Sequence, residues 1–201
     1  MPNALLTMEK ANLFVGKTAQ DESNSNHLII AELKLPMLDE QYVDHRAGGA
    51  PLAIEIDTIV ARLEATFVLA GWTPQVSSRF FSWNPDDNWF TAYGAVRDRD
   101  SGDLLQAIAL MRGRLGRADP VNWRNGELQH WNYSIRGITH YEVVMADATL
   151  YLYDFFTNTF MVGGIDRMAD INAALLTGAT NIAPIINVAG ATVAAPVGAP
   201  G

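Results

Sequence analysis

The sequence contains no cysteine among its 201 residues. Without thiols there is neither a disulfide framework nor a cysteine-ligated metal site. Basic residues are also few, since 14 Lys and Arg stand against 22 Asp and Glu and give a formal net charge of -8. An acidic surface repels phosphate groups. The absence of cysteine excludes thiol chemistry, and the excess of acidic residues argues against a protein that binds nucleic acid tightly.

A long unbroken hydrophobic run is absent as well. The most apolar segment, residues 182–197, is interrupted by Asn187 and by prolines at 184 and 196, so it does not suit a membrane span. The first residues, MPNALLTMEKANLF, lack the basic flank and apolar core of a secretory signal. We therefore expect no membrane insertion and a protein that is made in a cytoplasm.

Motifs that carry chemistry are present only as imperfect matches. Residues 11–18 (ANLFVGKT) satisfy a permissive phosphate-loop pattern, but no strand before them and no helix after them supplies the required context. Residues 98–103 resemble a calcium loop without its closing Glu. The four His residues have no ligand spacing. We therefore expect a protein that is not an enzyme, with no cofactor and no metal site.

Strand patterns and turns dominate what is present. Residues 63–71 alternate with a period of two, and Asp100-Ser101-Gly102 and Asn125-Gly126 are hairpin turn signals. Thr73 and Pro74 are typical of a helix start, with Val76, Phe80 and Trp83 at helical spacing, and a last helix is predicted over residues 166–176. The predicted strands cover residues 27–35, 52–56, 63–71, 89–99, 103–115, 128–136, 138–145 and 149–156. Residues 104–115 are apolar on both sides, which fits a strand buried on both faces or one that faces another subunit. The pattern predicts a mainly β fold, an antiparallel β-barrel or sandwich with one or two short flanking helices.

Residues 36–51 (PMLDEQYVDHRAGGAP) show neither a helical nor a strand period. We predict a long loop with a tight reversal at Gly48 and Gly49. A loop of this length in a compact domain is usually functional or disordered.

Aromatic and basic residues admit two interpretations each. The aromatic residues could stack on bases, but the acidic charge balance favours a role in the core and in subunit contacts; they are Trp83, Trp89, Trp123, Trp131, Tyr133, Tyr141, Tyr151 and Tyr153. Arg112, Arg114 and Arg117 form a basic cluster, which we interpret as a solvated rim or as an intersubunit ion pair.

The order of these pieces resembles the major tail tube protein of contractile-tailed, P2-like bacteriophages. The resemblance covers roughly residues 10–178, while residues 21–26 look inserted and residues from 179 onward have no counterpart. The matching motifs are Asn12-Leu13-Phe14, Leu35-Pro36, Tyr42 with Arg46 and Gly48-Gly49, Ile54-Glu55-Ile56-Asp57, residues 63–67 with Gly71, Arg112-Gly113, Tyr141, Asp154 and Gly164-Ile165-Asp166.

The resemblance implies a structural subunit of the inner tail tube, assembled as stacked homohexameric rings that form the conduit for DNA ejection. Implied partners are copies of the chain, the tail sheath, the tape measure protein in the lumen, the baseplate and tail terminator proteins, and passing DNA without specific binding. The implied location is the virion, after assembly in the host cytoplasm. Residues 1–178 would form the tail tube domain, and residues 179–201 a C-terminal extension rich in Ala, Val, Pro and Gly.

The loop at residues 36–51 would then reach a neighbouring subunit or ring. Its candidate contact residues are Tyr42, Asp44, Arg46, Gly48 and Gly49. Two alternatives remain open at this point. The chain could form the tube of a phage-derived bacteriocin or secretion system, or it could be a monomeric ligand-binding β-barrel whose aromatic residues line a pocket.

Overall fold

The computed structural model describes residues 5–21, 23–49, 51–84, 88–121, 123–177 and 184–186. In these ranges the chain is mainly β, as the sequence predicts, with antiparallel strands and two short helices. The elements are β1 (Leu6–Gly16), β2 (Ile30–Lys34), β3 (Glu40–His45), β4 (Ile54–Val60), β5 (Ala65–Ala70), α1 (Pro74–Ser77), β6 (Trp89–Asp98), β7 (Leu104–Pro120), β8 (His130–Met145), β9 (Ala148–Asp154), β10 (Thr159–Val162), β11 (Ile165–Asp166) and α2 (Ala169–Ala174).

Two layers of strands enclose the core as a sandwich. In one layer the strand order is β1-β6-β7-β8-β9-β10-β11. In the other, β2 pairs with β5, and β5 pairs with the first half of β8 from His130 to Ile135. The main core lies between the layers and contains Leu13, Phe67, Phe90 and Tyr133 among its buried residues. The predicted mainly β, antiparallel fold with short helices is therefore confirmed.

The long hairpin of β7 and β8 belongs to both layers. Its ladder has register shifts near Arg112 and Leu115, and Gly137 in β8 has φ +58, a left-handed conformation that glycine adopts without a steric penalty. The sequence predicted two strands separated by Gly137. That prediction is wrong, because β8 is one strand from His130 to Met145 and pairs with β7 on both sides of Gly137.

Burial follows the predicted alternation where strands face the core. In β5, Ala65, Phe67 and Leu69 are buried, and the residues between them are half-buried. β7 was predicted to be apolar on both faces, and Ile108 and Leu110 indeed pack in a second cluster on the face opposite to the main core. The middle of β7 is therefore covered on both sides.

Both helices are shorter than predicted. α1 begins at Pro74 after the N-cap Thr73, as expected, but it ends at Ser77, and Phe80 forms a β-bridge with Leu115 instead of continuing the helix. Asp166 ends β11, where its carboxylate accepts hydrogen bonds from the N–H groups of Phe160 and Met168. Because of that turn, α2 begins only at Ala169. Among the described residues no helix is long and apolar enough to cross a membrane.

Four strands in the described ranges were not predicted: β1, β3 and the short strands β10 and β11. Near the start of the chain, β1 pairs with β6. β3 lies inside the segment that was predicted to be an irregular loop, so that prediction is wrong. β3 is polar and fully exposed. Its strand conformation is stabilised by backbone pairing with β4, which a search for buried alternation does not detect.

A glycine at the bend of β7 gives a first stability prediction. A Cβ at Gly113 would lie 2.9 Å from Ile135 Cγ2, 3.0 Å from Ile138 Cγ1 and 3.1 Å from the Arg136 carbonyl oxygen. We expect Gly113→Ala to lower the free energy of unfolding by about 1–3 kcal/mol because the packed neighbours must shift. Urea denaturation measures the change.

Gly116→Ala is the matched control, since its Cβ would meet mainly the flexible side chain of Arg136 at 3.1–3.2 Å. We expect a clearly smaller loss at Gly116. Equal losses at the two positions would contradict the explanation by core crowding.

Candidate assembly surfaces

β3 and β4 form a separate two-stranded sheet, and every residue of both strands is exposed. We call this hairpin, residues 40–60, the arm. An isolated two-stranded hairpin is marginally stable in water. The arm would therefore gain stability from contact with another molecule.

The arm has one apolar face and one acidic face. Val43 lies opposite Ile56 and His45 lies opposite Ile54, so these side chains share a face. The side chains of Val43, Ile54 and Ile56 are 59%, 60% and 44% exposed. Apolar side chains gathered on one exposed face are typical of a contact surface.

The acidic face places like charges opposite one another. Asp44 pairs with Glu55, and Tyr42 pairs with Asp57; like charges directly opposite destabilise a strand pair. The hydroxyl of Tyr42 donates a 2.6 Å hydrogen bond to Glu40, and this bond raises the pKa of Tyr42. The acidic face therefore favours contact with a partner that supplies cations or hydrogen-bond donors.

The five predicted contact residues all lie on the arm. Tyr42 and Asp44 are on its acidic face, Arg46 follows β3 directly, and Gly48 and Gly49 form the turn at the tip. Gly49 has φ +88, a left-handed conformation that glycine adopts readily, and it lies in the connection between His45 and Ile54. The apolar residues opposite them were missed. The sequence signal that could have identified them is the alternation Ile54-Glu55-Ile56-Asp57, set opposite the alternation Tyr42-Val43-Asp44.

A second exposed surface combines arginine with aromatic rings. The Arg114 guanidinium lies 4.2 Å from the ring centre of Trp83 and 5.9 Å from that of Phe81. Both rings are largely exposed. Within the cluster interpreted as a solvated rim or an intersubunit ion pair, Arg112 lies over Trp89 and Arg117 pairs with Asp119 of the same chain. The cluster is thus held by contacts within the chain.

Of the aromatic residues predicted for the core or for subunit contacts, Tyr133 and Tyr141 are buried in the centre of the molecule, while Trp83 and Trp123 are largely exposed. Tyr133 stacks on Phe67 with ring centres 5.0 Å apart, and Tyr141 belongs to the same core. Burial raises the pKa of Tyr141. Their rings fill the sandwich, which favours a role in packing over the lining of a ligand pocket.

The imperfect motifs resolve into local turns. Residues 12–16 end β1, and the N–H of Lys17 donates to the carboxylate of Asp21, so the phosphate-loop match is a strand end with a turn. In the other motif, Asp98 accepts a hydrogen bond from the N–H of Asp100 across the β6–β7 turn. No group of three or more His, Asp or Glu in the described ranges could hold a metal ion.

Known proteins were compared with the chain by family and by sequence. The family model described as phage tail tube protein FII matches residues 8–175, and no curated protein matches the chain.

Three solved structures show similarity at low identity. One is the PVC sheath–tube complex of an extracellular contractile injection system in the extended state. It is 10% identical, the match covers 68% of this chain and 87% of that one, and the TM-score is 0.45. The PVC sheath/tube terminator in the extended state is 8% identical, the match covers 72% of this chain and 99% of that one, and the TM-score is 0.46. The baseplate of the anti-feeding prophage is 9% identical, the match covers 72% of this chain and 95% of that one, and the TM-score is 0.45.

The family model covers most of the chain, and it describes the same class of protein that the ordered motifs indicated. The fold of the chain is the mainly antiparallel β-structure that those motifs implied. The chain therefore belongs to the phage tail tube protein FII family and is a structural subunit of a tail tube.

Proposed function

We propose that the subunit assembles into homohexameric rings, that the rings stack into the inner tube of a contractile phage tail, and that the tube conducts DNA during ejection. The observation that carries this proposal is the arm. Its apolar face is exposed in the single subunit, and its two strands pair only with each other in the described part of the chain.

A neighbouring copy is the occupant that fits the arm best. Covering Val43, Ile54 and Ile56 would remove apolar surface from water, worth about 1.5–3 kcal/mol for each side chain that becomes fully buried. Because every copy carries the same arm, one modest contact is repeated around each ring and between rings. Tyr42, Asp44, Arg46, Gly48 and Gly49 are the contact residues we assign to this interface, together with the apolar face.

The edges of the sheet support assembly in the same way. In the described ranges, β1 pairs along one side with β6, and on its other side residues 13–15 bond to residues 24–26, which leaves the first half of that edge without a strand partner. Its first half is largely exposed, with Met8 at 56%. A long unpaired edge is a template for pairing with another strand. Joining copies edge to edge into a closed cylinder would remove these edges.

The charge distribution suits DNA that passes without binding. The chain carries a net charge of -8, and several surface arginines are already engaged by acidic partners, in the pairs Arg97–Glu9, Arg117–Asp119, Arg124–Glu127 and Arg136–Glu64. Paired arginines release few counterions when phosphate approaches, so nonspecific affinity stays low.

Further partners follow from the place of the tube in a contractile tail. They are the sheath around it, the tape measure protein in its lumen, and the baseplate and tail terminator at its ends. The subunit would be assembled in the host cytoplasm and retained in the virion. Residues 1–178 would form the tube domain, and residues 179–201 the extension. The neighbouring genes would distinguish a phage tail from a bacteriocin or secretion tube of the same architecture.

Negative-stain electron microscopy of the purified full-length chain tests the proposal. We expect long hollow tubes, and end-on class averages with sixfold symmetry. A protein that stays monomeric at high concentration would contradict self-assembly through the arm and the edges. Rings of another symmetry would contradict the hexamer alone.

A further inference from the structure

The sandwich has a second apolar cluster on the face of β6, β7 and β8 that points away from the main core. Register places three rows of side chains across these strands: Trp89–Arg112–His140, Thr91–Leu110–Glu142 and Tyr93–Ile108–Val144. We call this surface the Glu142 face. The chain segment Pro184–Ile186 lies on it, and Ile186 packs with Ile108, Leu110 and Val144.

Glu142 is an unusual residue for such a face, because it is fully buried. One of its carboxylate oxygens, Oε2, accepts hydrogen bonds from the N–H groups of Ile185 at 2.9 Å and Ile186 at 3.3 Å, and Oε1 lies 3.4 Å from the N–H of Ile186. His140 Nε2 is 3.8 Å from Oε2, and His140 Nδ1 is 3.1 Å from a carboxylate oxygen of Asp154.

The C-terminal segment supplies what this carboxylate needs. A buried carboxylate is costly unless hydrogen-bond donors and charges surround it, and two successive backbone N–H groups provide a matched pair of donors. Hydrogen bonds to an ionised acceptor are also stronger than neutral ones. The packing of the tube subunit does not require a carboxylate among Leu110, Ile108 and Val144, so Glu142 has another role.

We propose that Glu142 and the apolar residues around it form a peptide-binding site, and that its ligand is the segment Pro184–Ile186 of the same chain. The carboxylate binds the two N–H groups, and the pocket at Ile108, Leu110 and Val144 binds the side chain of Ile186. The site fastens the C-terminal extension to the sheet. It does so in the single subunit and does not depend on ring formation.

Two segments of the extension begin alike, and only the first has an apolar side chain at its fourth position. Ala183-Pro184-Ile185-Ile186 and Ala195-Pro196-Val197-Gly198 share an Ala-Pro start followed by a β-branched residue. In each, proline lacks an N–H and leaves the next two residues as donors. The second segment has Gly198 where the first has Ile186, so it has no side chain for the pocket.

Residue-resolved amide hydrogen exchange on the full-length chain, kept unassembled by low concentration, tests the site. We expect slow exchange at the amides of Ile185 and Ile186. Glu142→Met keeps the length of the side chain but removes the acceptor, and we expect protection of both amides to fall by roughly tenfold or more. Ile186→Ala empties the pocket without touching the sheet, and we expect a similar loss.

Ile185→Ala is the matched control. Its side chain is 39% exposed while its N–H makes the same kind of hydrogen bond as that of Ile186, so we expect protection to stay within about twofold of the wild type. Unprotected amides in the wild type, or protection that survives Ile186→Ala, would overturn the site. Protection that rises with protein concentration would overturn binding within one chain and show exchange of the segment between copies.

Discussion

Replacing Val43 and Ile56 together with aspartate is expected to abolish tube formation while the subunit stays folded. The two side chains face each other on the apolar face of the arm. Contact with a neighbour would bury them, and a charge introduced there would have to be desolvated without a partner, at a cost of several kcal/mol for each ion. Repetition of the contact in every copy multiplies that cost.

Electron microscopy and sedimentation measure the loss of tubes, and circular dichroism measures whether the β-structure persists. The control is the swap Val43→Ile with Ile56→Val, which keeps the face apolar and its total volume nearly constant. We expect normal tubes from the swap. Normal tubes from the double aspartate variant would show that the apolar face is not an interface, even if the protein still assembles through its edges.

The second large effect is expected in the core, where Phe67→Ala should destabilise the subunit by about 3–5 kcal/mol. Phe67 is 1% exposed and stacks on Tyr133 with ring planes 17° apart. Its truncation removes buried aromatic surface and leaves a cavity between the two layers, since β5 and β8 are fixed by their shared ladder. Urea or guanidinium denaturation, followed by tryptophan fluorescence, measures the shift.

Phe156→Ala deletes the same atoms from a side chain that is 72% exposed. We expect its effect to stay within about 0.5 kcal/mol. Similar losses for the two variants would show that Phe67 is not packed as described. Both measurements belong on the unassembled subunit, because assembly adds its own free energy to the apparent stability.

Local patterns were sufficient for the parts of the fold that face the main core. The alternation in β5 predicts which of its residues are buried, and the apolar character of both sides of β7 predicts its double coverage. The hairpin of β6 and β7 follows from the turn at residues 100–102. In each case a hydrophobic side chain and a turn residue carry the information, and both are visible in the sequence.

The arm shows where that reasoning stops. β3 has no buried side, so no alternation of burial distinguishes it from a loop. The candidate contact residues all fall on the arm, and their contact with a neighbouring copy stays a prediction. Its apolar face could be recognised only after pairing put Val43 opposite Ile56, because register is a relation between two segments.

The sequence by itself determined the class of fold, the order of most strands and the family, since these depend on side-chain periodicity and on motifs in a fixed order. The tertiary structure alone decided that β8 passes unbroken through Gly137, that α2 begins after Asp166, and that Ile185 and Ile186 donate to Glu142, more than 40 residues earlier in the chain. The physical reason is that backbone hydrogen bonds and buried charges find their partners across space, and those partners are not encoded by neighbouring residues.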